Sequence, residues 1–96
     1  MSESKTYNGW ENYETWCVAL WINNDEYSQS MALDIVKRYG DTRQAEEALR
    51  DFVESSSPNL HGTMYGDLLT AALQEIDYRE LVSTFAEDIE EEDTED

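Results

Sequence analysis

The stretch from Asn12 to Asp25, N-Y-E-T-W-C-V-A-L-W-I-N-N-D, constrains the fold more than any other part of the chain. It holds two of the three Trp residues and the only Cys. It begins and ends on Asn or Asp, side chains that accept hydrogen bonds from the free N–H groups at a helix start. Between those ends Tyr13, Trp16, Cys17, Leu20 and Trp21 recur at three- and four-residue steps, which a helix lines up as one apolar stripe. A buried aromatic side chain takes roughly 150–250 Å² out of water. The spacing therefore predicts a keystone helix from about Tyr13 to Ile22, capped by Asn12, with the stripe turned inward. The indoles of Trp16 and Trp21 are expected at the core margin, where their N–H groups find partners.

The rest of the chain repeats the helical period. A second helix is expected over about Asp25 to Tyr39, with Tyr27, Met31, Ala32, Ile35, Val36 and Tyr39 inward and Gly40 as a left-handed stop. Asp41 and Gln44 are spaced as a capping box for a third helix, about Thr42 to Glu54, which buries Ala45, Ala48, Leu49, Phe52 and Val53. Ser55 to Gly62 is a loop holding the sole Pro. A fourth helix, about Met64 to Ile76, starts from Thr63 and turns Met64, Leu68, Leu69, Ala72, Leu73 and Ile76 inward. Gly66 is expected to weaken its first turn by about 1 kcal/mol relative to Ala. Asp77 and Glu80 repeat the capping-box spacing ahead of a fifth helix carrying Tyr78, Leu81, Val82, Phe85 and Ile89. Met1 to Trp10 reads as an arm with a turn at Asn8-Gly9 and Trp10 folded back onto the core. No strand-like alternation competes. The expected fold is all-α, a compact bundle of about five short helices. Residues 1–89 form a single helical domain, and residues 90–96 form a disordered acidic tail, because no apolar residue follows Ile89.

The string N-Y-E-T-W-x-V-A-L-W-I-x-N-D resembles the signature of a family of small proteins of unknown function encoded by phages, plasmids and archaea. The resemblance covers Asn12 to Asp25 and brings no known chemistry with it. Where such families often carry Asn, this chain has Cys17, which argues against a polar role at that position.

Catalytic machinery is scarce. One His and one Cys supply neither a His/Cys metal site nor an internal disulfide, and no Gly-rich phosphate loop, G-x-S-x-G turn or calcium loop occurs. Cys17 reads as a small hydrophobe on the stripe and His61 as a surface residue in a polar loop. The expectation is a non-enzymatic protein with no catalytic residue, no cofactor and no metal. No run of eighteen apolar residues and no signal-peptide start occur. The expected location is the cytoplasm of a host cell, away from membranes.

Charge is the loudest remaining signal: 23 Asp and Glu face 6 Lys and Arg, a net charge of −17. The sign excludes direct binding to nucleic acid or to an anionic membrane and favours a cationic partner. Residues 87–96 contribute −8, so residues 1–86 keep −9 without the tail. On the third helix Arg43 with Glu47 and Glu46 with Arg50 are spaced to pair, as are Asp34 and Arg38 on the second. The fourth and fifth helices present Asp67, Glu75, Asp77, Glu80, Glu87 and Asp88 against Arg79 alone, and Glu11 and Glu14 open the first helix. These eight acids are the candidate partner-binding residues. Carboxylates fixed on helices a few ångströms apart mimic the phosphates that basic grooves read. In size and charge the chain resembles the small acidic proteins with which phages block restriction and CRISPR machinery. That resemblance implies a DNA mimic aimed at a basic nucleic-acid-binding protein, a CRISPR surveillance complex first and a restriction enzyme next. Two other readings stand beside it: a helical adaptor with an apolar groove anchored by Trp10 or Tyr7, and an acidic surface that reflects halophilic adaptation alone.

Overall fold

A computed structural model describes residues 7–94, with side chains through residue 89. Five helices follow one another: α1 Tyr13–Asn23, α2 Glu26–Tyr39, α3 Arg43–Ser55, α4 Met64–Gln74 and α5 Tyr78–Thr94. Most of their starts are set by the expected side chains. The Asn12 side chain accepts the Thr15 N–H, Asp25 accepts that of Ser28, and Thr63 accepts that of Gly66. Gly40 ends α2 at φ +73°, its N–H donating to the Val36 carbonyl at 2.8 Å. Its ψ of −164° carries the chain away extended instead of curling it into a left-handed turn. Ahead of α1, Asn8 and Gly9 take positive φ, and Tyr7 and Trp10 exchange backbone hydrogen bonds of 2.7 and 2.8 Å around them. This two-residue hairpin lays Trp10 against the core, as its size demanded.

The Asp41 capping box does not form. Thr42 caps α3 instead, accepting from Ala45 N–H, and Asp41 accepts a hydrogen bond from the Ser83 hydroxyl on α5 at 3.0 Å. A tie between helices has replaced a tie within one.

The core joins four of the five helices. Ala19 and Ile22 come from α1, Ala32, Ile35 and Val36 from α2, Ala45 and Leu49 from α3, and Tyr78, Leu81, Val82 and Phe85 from α5. α2 and α5 each pack against the other three members, so they share the central place expected of α1. Its inward face matches the sequence expectation residue for residue, with Ile89 at the edge. The backbone of α5 runs on to Thr94, past Ile89; the expected disordered tail falls, in its side chains and wholly at residues 95–96, outside the described residues.

Beyond this, two whole helix faces differ from expectation. The α1 stripe faces out: Trp21 is 72% exposed, and Tyr13 and Leu20 are exposed as well. The core side of α1 is Thr15, Ala19 and Ile22, whose centre lies roughly 180° around the helix from that of the stripe. Six apolar residues in a row, Cys17 to Ile22, make both faces apolar, so period alone could not choose between them. Small side chains at Thr15 and Ala19 allow α1 to approach its neighbours closely. The second correction concerns α4, which buries no residue and leaves Met64 and Leu68 more than half exposed. A Cβ on Gly66 would collide with the Leu60 carbonyl, so this glycine admits the preceding loop against the helix. Of the expected α2 face, Tyr27 and Tyr39 also stay exposed.

Candidate functional site

The start of α1 is bolted to the junction between α4 and α5. Thr15, 0% exposed, donates its hydroxyl proton to Asn12 Oδ1 at 2.7 Å and accepts the Asp77 N–H at 2.8 Å. Asn12 Nδ2 donates to the Glu75 carbonyl at 2.7 Å. Asp77 caps α5 by accepting the Glu80 N–H at 3.1 Å, the expected half of its capping box. The other half is missing because Glu80 reaches across to accept the Glu11 N–H at 2.9 Å. The Asn and Thr of the N-Y-E-T string thus act as a clip between segments more than sixty positions apart.

The clip gathers four of the eight candidate acids. Glu11, Glu75 and Asp77 line one open hollow of about 390 Å³, together with Glu46, Arg50 and Arg79. Glu80 joins them through its bond to Glu11. Asp77 and Glu80 are half-buried and structurally engaged, whereas Glu11 and Glu75 are exposed. Glu87 and Asp88 are exposed further along α5. Glu87 lies seven residues beyond Glu80, roughly 10 Å along the axis and on nearly the same azimuth, opposite the buried face. Asp88 stands about 100° farther round. The remaining two acids lie elsewhere. Glu14 is half-buried in the first turn of α1, and Asp67 lines a separate hollow between α4 and the loop of residues 57–62.

Of the bases near these acids, Arg50 and Arg79 line both the hollow of Glu11, Glu75 and Asp77 and a second one beside α3. Arg79 shares a hollow with Arg43, Glu46, Glu47 and Arg50. Arg43 pairs with Glu47 and Arg38 with Asp34, each at 3.6 Å and on exposed side chains, as their spacing predicted. The expected Glu46–Arg50 pair is absent; the Arg50 guanidinium lies over the Tyr78 ring, 5.3 Å from its centroid. Burial pushes the Tyr78 phenol up to about 12, with Glu54 adding to the rise and Arg50 opposing it, and its hydroxyl has no hydrogen-bond partner among the described residues.

A second surface went unseen in the sequence. The outward stripe of α1 is covered at its upper end by the hairpin, where Tyr7 packs edge-on against Tyr13 and tilted against Trp16, with centroids 5.3 and 5.0 Å apart. Its lower end is bare. There Cys17, Val18, Trp21 and Ile22 form one wall of an open hollow of about 640 Å³; Val53 of α3 and Ser56 just past its end form another, and Asn24, Asp25 and Ser28 lie at its rim. The unbroken apolar run Cys17–Ile22 was the available signal, since one helix face cannot bury six consecutive side chains.

Among the described residues, no group of three or more His, Cys, Asp or Glu is placed to hold a metal ion, and no helix is long and apolar enough to cross a membrane. The chain belongs to a family of unknown function, DUF7249, whose model matches residues 3–93. No match was found among curated proteins or among solved structures.

Proposed function

For this family member we propose a non-enzymatic role: it binds a basic protein partner and blocks that partner's nucleic-acid groove as a mimic of DNA. The observation that carries the reading is the outer side of α5. Glu80 and Glu87 lie there on a helix whose inner face is anchored, with Asp88 at its flank, and Arg79, the one base among residues 75–88, stands about 100° round from Glu80. Glu11, Glu75 and Asp77 extend the acidic surface at the helix start. Rigid carboxylates meet a Lys/Arg groove without the ordering cost that a mobile acidic tail incurs. The class of target is a bacterial or archaeal defence complex acting on nucleic acid, a CRISPR surveillance complex first and a restriction enzyme next, met in the host cytoplasm.

The test is competition between the protein and labelled duplex DNA for the target complex. Mimicry gives mutual exclusion that weakens as salt rises and screens exposed charge. Glu87→Lys with Asp88→Lys should weaken inhibition about tenfold or more and leave the melting temperature nearly unchanged, because both side chains are exposed. A target that still binds duplex DNA with the protein attached refutes groove occupancy. A protein that unfolds as salt is lowered, with no salt-sensitive partner, supports the halophilic reading instead.

A further inference from the structure

The bare lower end of the α1 stripe is unused by the acidic face of α5, and it lies between α1 and α3. We propose that this hollow is a docking site for a basic amphipathic helix of a partner protein, which seats an apolar anchor beside Trp21 and places Lys or Arg against Asp25.

The shape and lining fit such an occupant. Val18, Trp21, Ile22 and Val53 supply apolar walls, and the volume of about 640 Å³ is in the range that holds one or two large side chains. Trp21 is a ready anchor, since large exposed aromatics concentrate binding energy where they become desolvated. The same helix face already accepts an aromatic at its upper end, where Tyr7 lies on Tyr13 and Trp16. A helix laid in the groove continues that packing downward.

Charge selects among possible occupants. Among the described residues no Lys or Arg lines the hollow, and the Asp25 carboxyl is held below its ordinary range by hydrogen bonds from the Ser28 hydroxyl and N–H. It therefore stays ionised while it caps α2. A second copy of the chain is a poor fit, because each copy carries −17 and paired hollows would bring two Asp25 carboxylates together. Residues 1–6 offer Met1 as their sole apolar side chain and fit no better. A cationic, amphipathic segment satisfies both walls and rim.

The test uses the full chain, nitrogen-15 labelled, titrated with three helical peptides of equal length: Leu/Lys amphipathic, Leu/Glu amphipathic, and Ser/Lys without apolar residues. The Leu/Lys peptide should shift the Trp21 indole signal and the amides of Val18, Ile22, Val53 and Ser56. The Ser/Lys peptide should shift signals of the α5 acids alone, and the Leu/Glu peptide none. Trp21→Ser should weaken Leu/Lys binding about tenfold or more. Asp25→Asn, which keeps a capping side chain, should weaken it a few-fold. The inference is overturned if the Leu/Lys peptide leaves Trp21 unmoved, if Leu/Glu binds equally well, or if Trp21→Ser has no effect. Concentration-dependent dimerisation abolished by Trp21→Ser would assign the hollow to a second copy and also overturn it. These readouts lie on α1 and α3, so they stand or fall separately from the α5 competition.

Discussion

Removing the hydroxyl of Thr15 should damage this protein more than removing the whole side chain of Trp21. Thr15→Val keeps the shape but deletes one donor and one acceptor at a fully buried position. The two lost hydrogen bonds cost about 1 kcal/mol each, and leaving the Asp77 N–H without an acceptor adds about 1–3 kcal/mol, so the total is about 3–5 kcal/mol. Domains of this size have about 5–15 kcal/mol in all, and each kcal/mol moves the melting temperature by about 4–8 °C. A fall of about 12–40 °C is expected. Thr15→Ser keeps the hydroxyl and should lose about 1 kcal/mol through its missing methyl. Asn12→Ala removes the cap and the bond to the Glu75 carbonyl, about 1–2 kcal/mol, and should combine with Thr15→Val to less than the sum because the two side chains share one network. Trp21→Ala should stay within about 0.5–1 kcal/mol, because the side chain is 72% exposed. Urea denaturation followed by circular dichroism measures all five proteins, and an unchanged m-value keeps the comparison within one denatured state. A Thr15→Val protein as stable as the parent, or a Trp21→Ala protein less stable than Thr15→Val, refutes the assignment of the core face of α1.

Three further outcomes are expected. Gly66→Ala should destabilise the protein by about 1 kcal/mol or more, reversing the usual gain from Gly to Ala in a helix, because the new Cβ meets the Leu60 carbonyl; a calorimetric melting temperature above the parent's would show that the loop gives way freely. Tyr78 is held neutral to about pH 12, against about 10 in an unfolded chain, so its contribution to stability is complete below pH 10 and is lost as pH rises from 10 towards 12. Tyr78→Phe should flatten that fall in alkaline denaturation curves and cost little at pH 7, since the hydroxyl has no partner among the described residues to lose. Asp41→Ala should leave the α3 cap intact and remove only the tie to Ser83, an effect within about 0.5 kcal/mol by chemical denaturation; a loss of about 1 kcal/mol or more would return the capping role to Asp41.

Helix starts and the inward face of α5 were legible because their signals are local and sharp. Asn12, Asp25, Thr63 and Asp77 each sit three residues before the N–H they accept. On α5 the apolar residues Tyr78, Leu81, Val82, Phe85 and Ile89 stand against polar neighbours, so the period has one reading. On α1 it has two, and the deciding contacts come from Glu75 and Asp77, far along the chain. α4 failed for a related reason: its apolar content is as high as that of α5, but membership of the core is decided by which helices meet. The candidate acids were chosen by charge count, which cannot separate a capping carboxylate such as Asp77 from an exposed one such as Glu87. It also cannot show that Arg50 and Arg79 share a hollow with Glu11, Glu75 and Asp77.

The clip explains why so much apolar surface remains on α1. A helix is rigid in azimuth, so burying Thr15 fixes where every other side chain points. Trp21 then lies about 120° round from Thr15, and Tyr13 about 160°. Rotating the helix to bury the stripe would gain about 1.5–3 kcal/mol for each large apolar side chain removed from water. It would also break the bonds that Thr15 and Asn12 make to the α4–α5 junction and detach Glu11 from Glu80. That junction carries the start of α5 and the acids gathered around it. The fold thus keeps the α5 acids on a fixed frame and leaves the burial energy of Trp21 unrealised, available to whatever desolvates it on binding. The two exposed surfaces are therefore linked: weakening the clip with Thr15→Val should blur the α5 face and change Trp21 fluorescence together, whereas Glu87→Lys should alter the first and leave the second untouched.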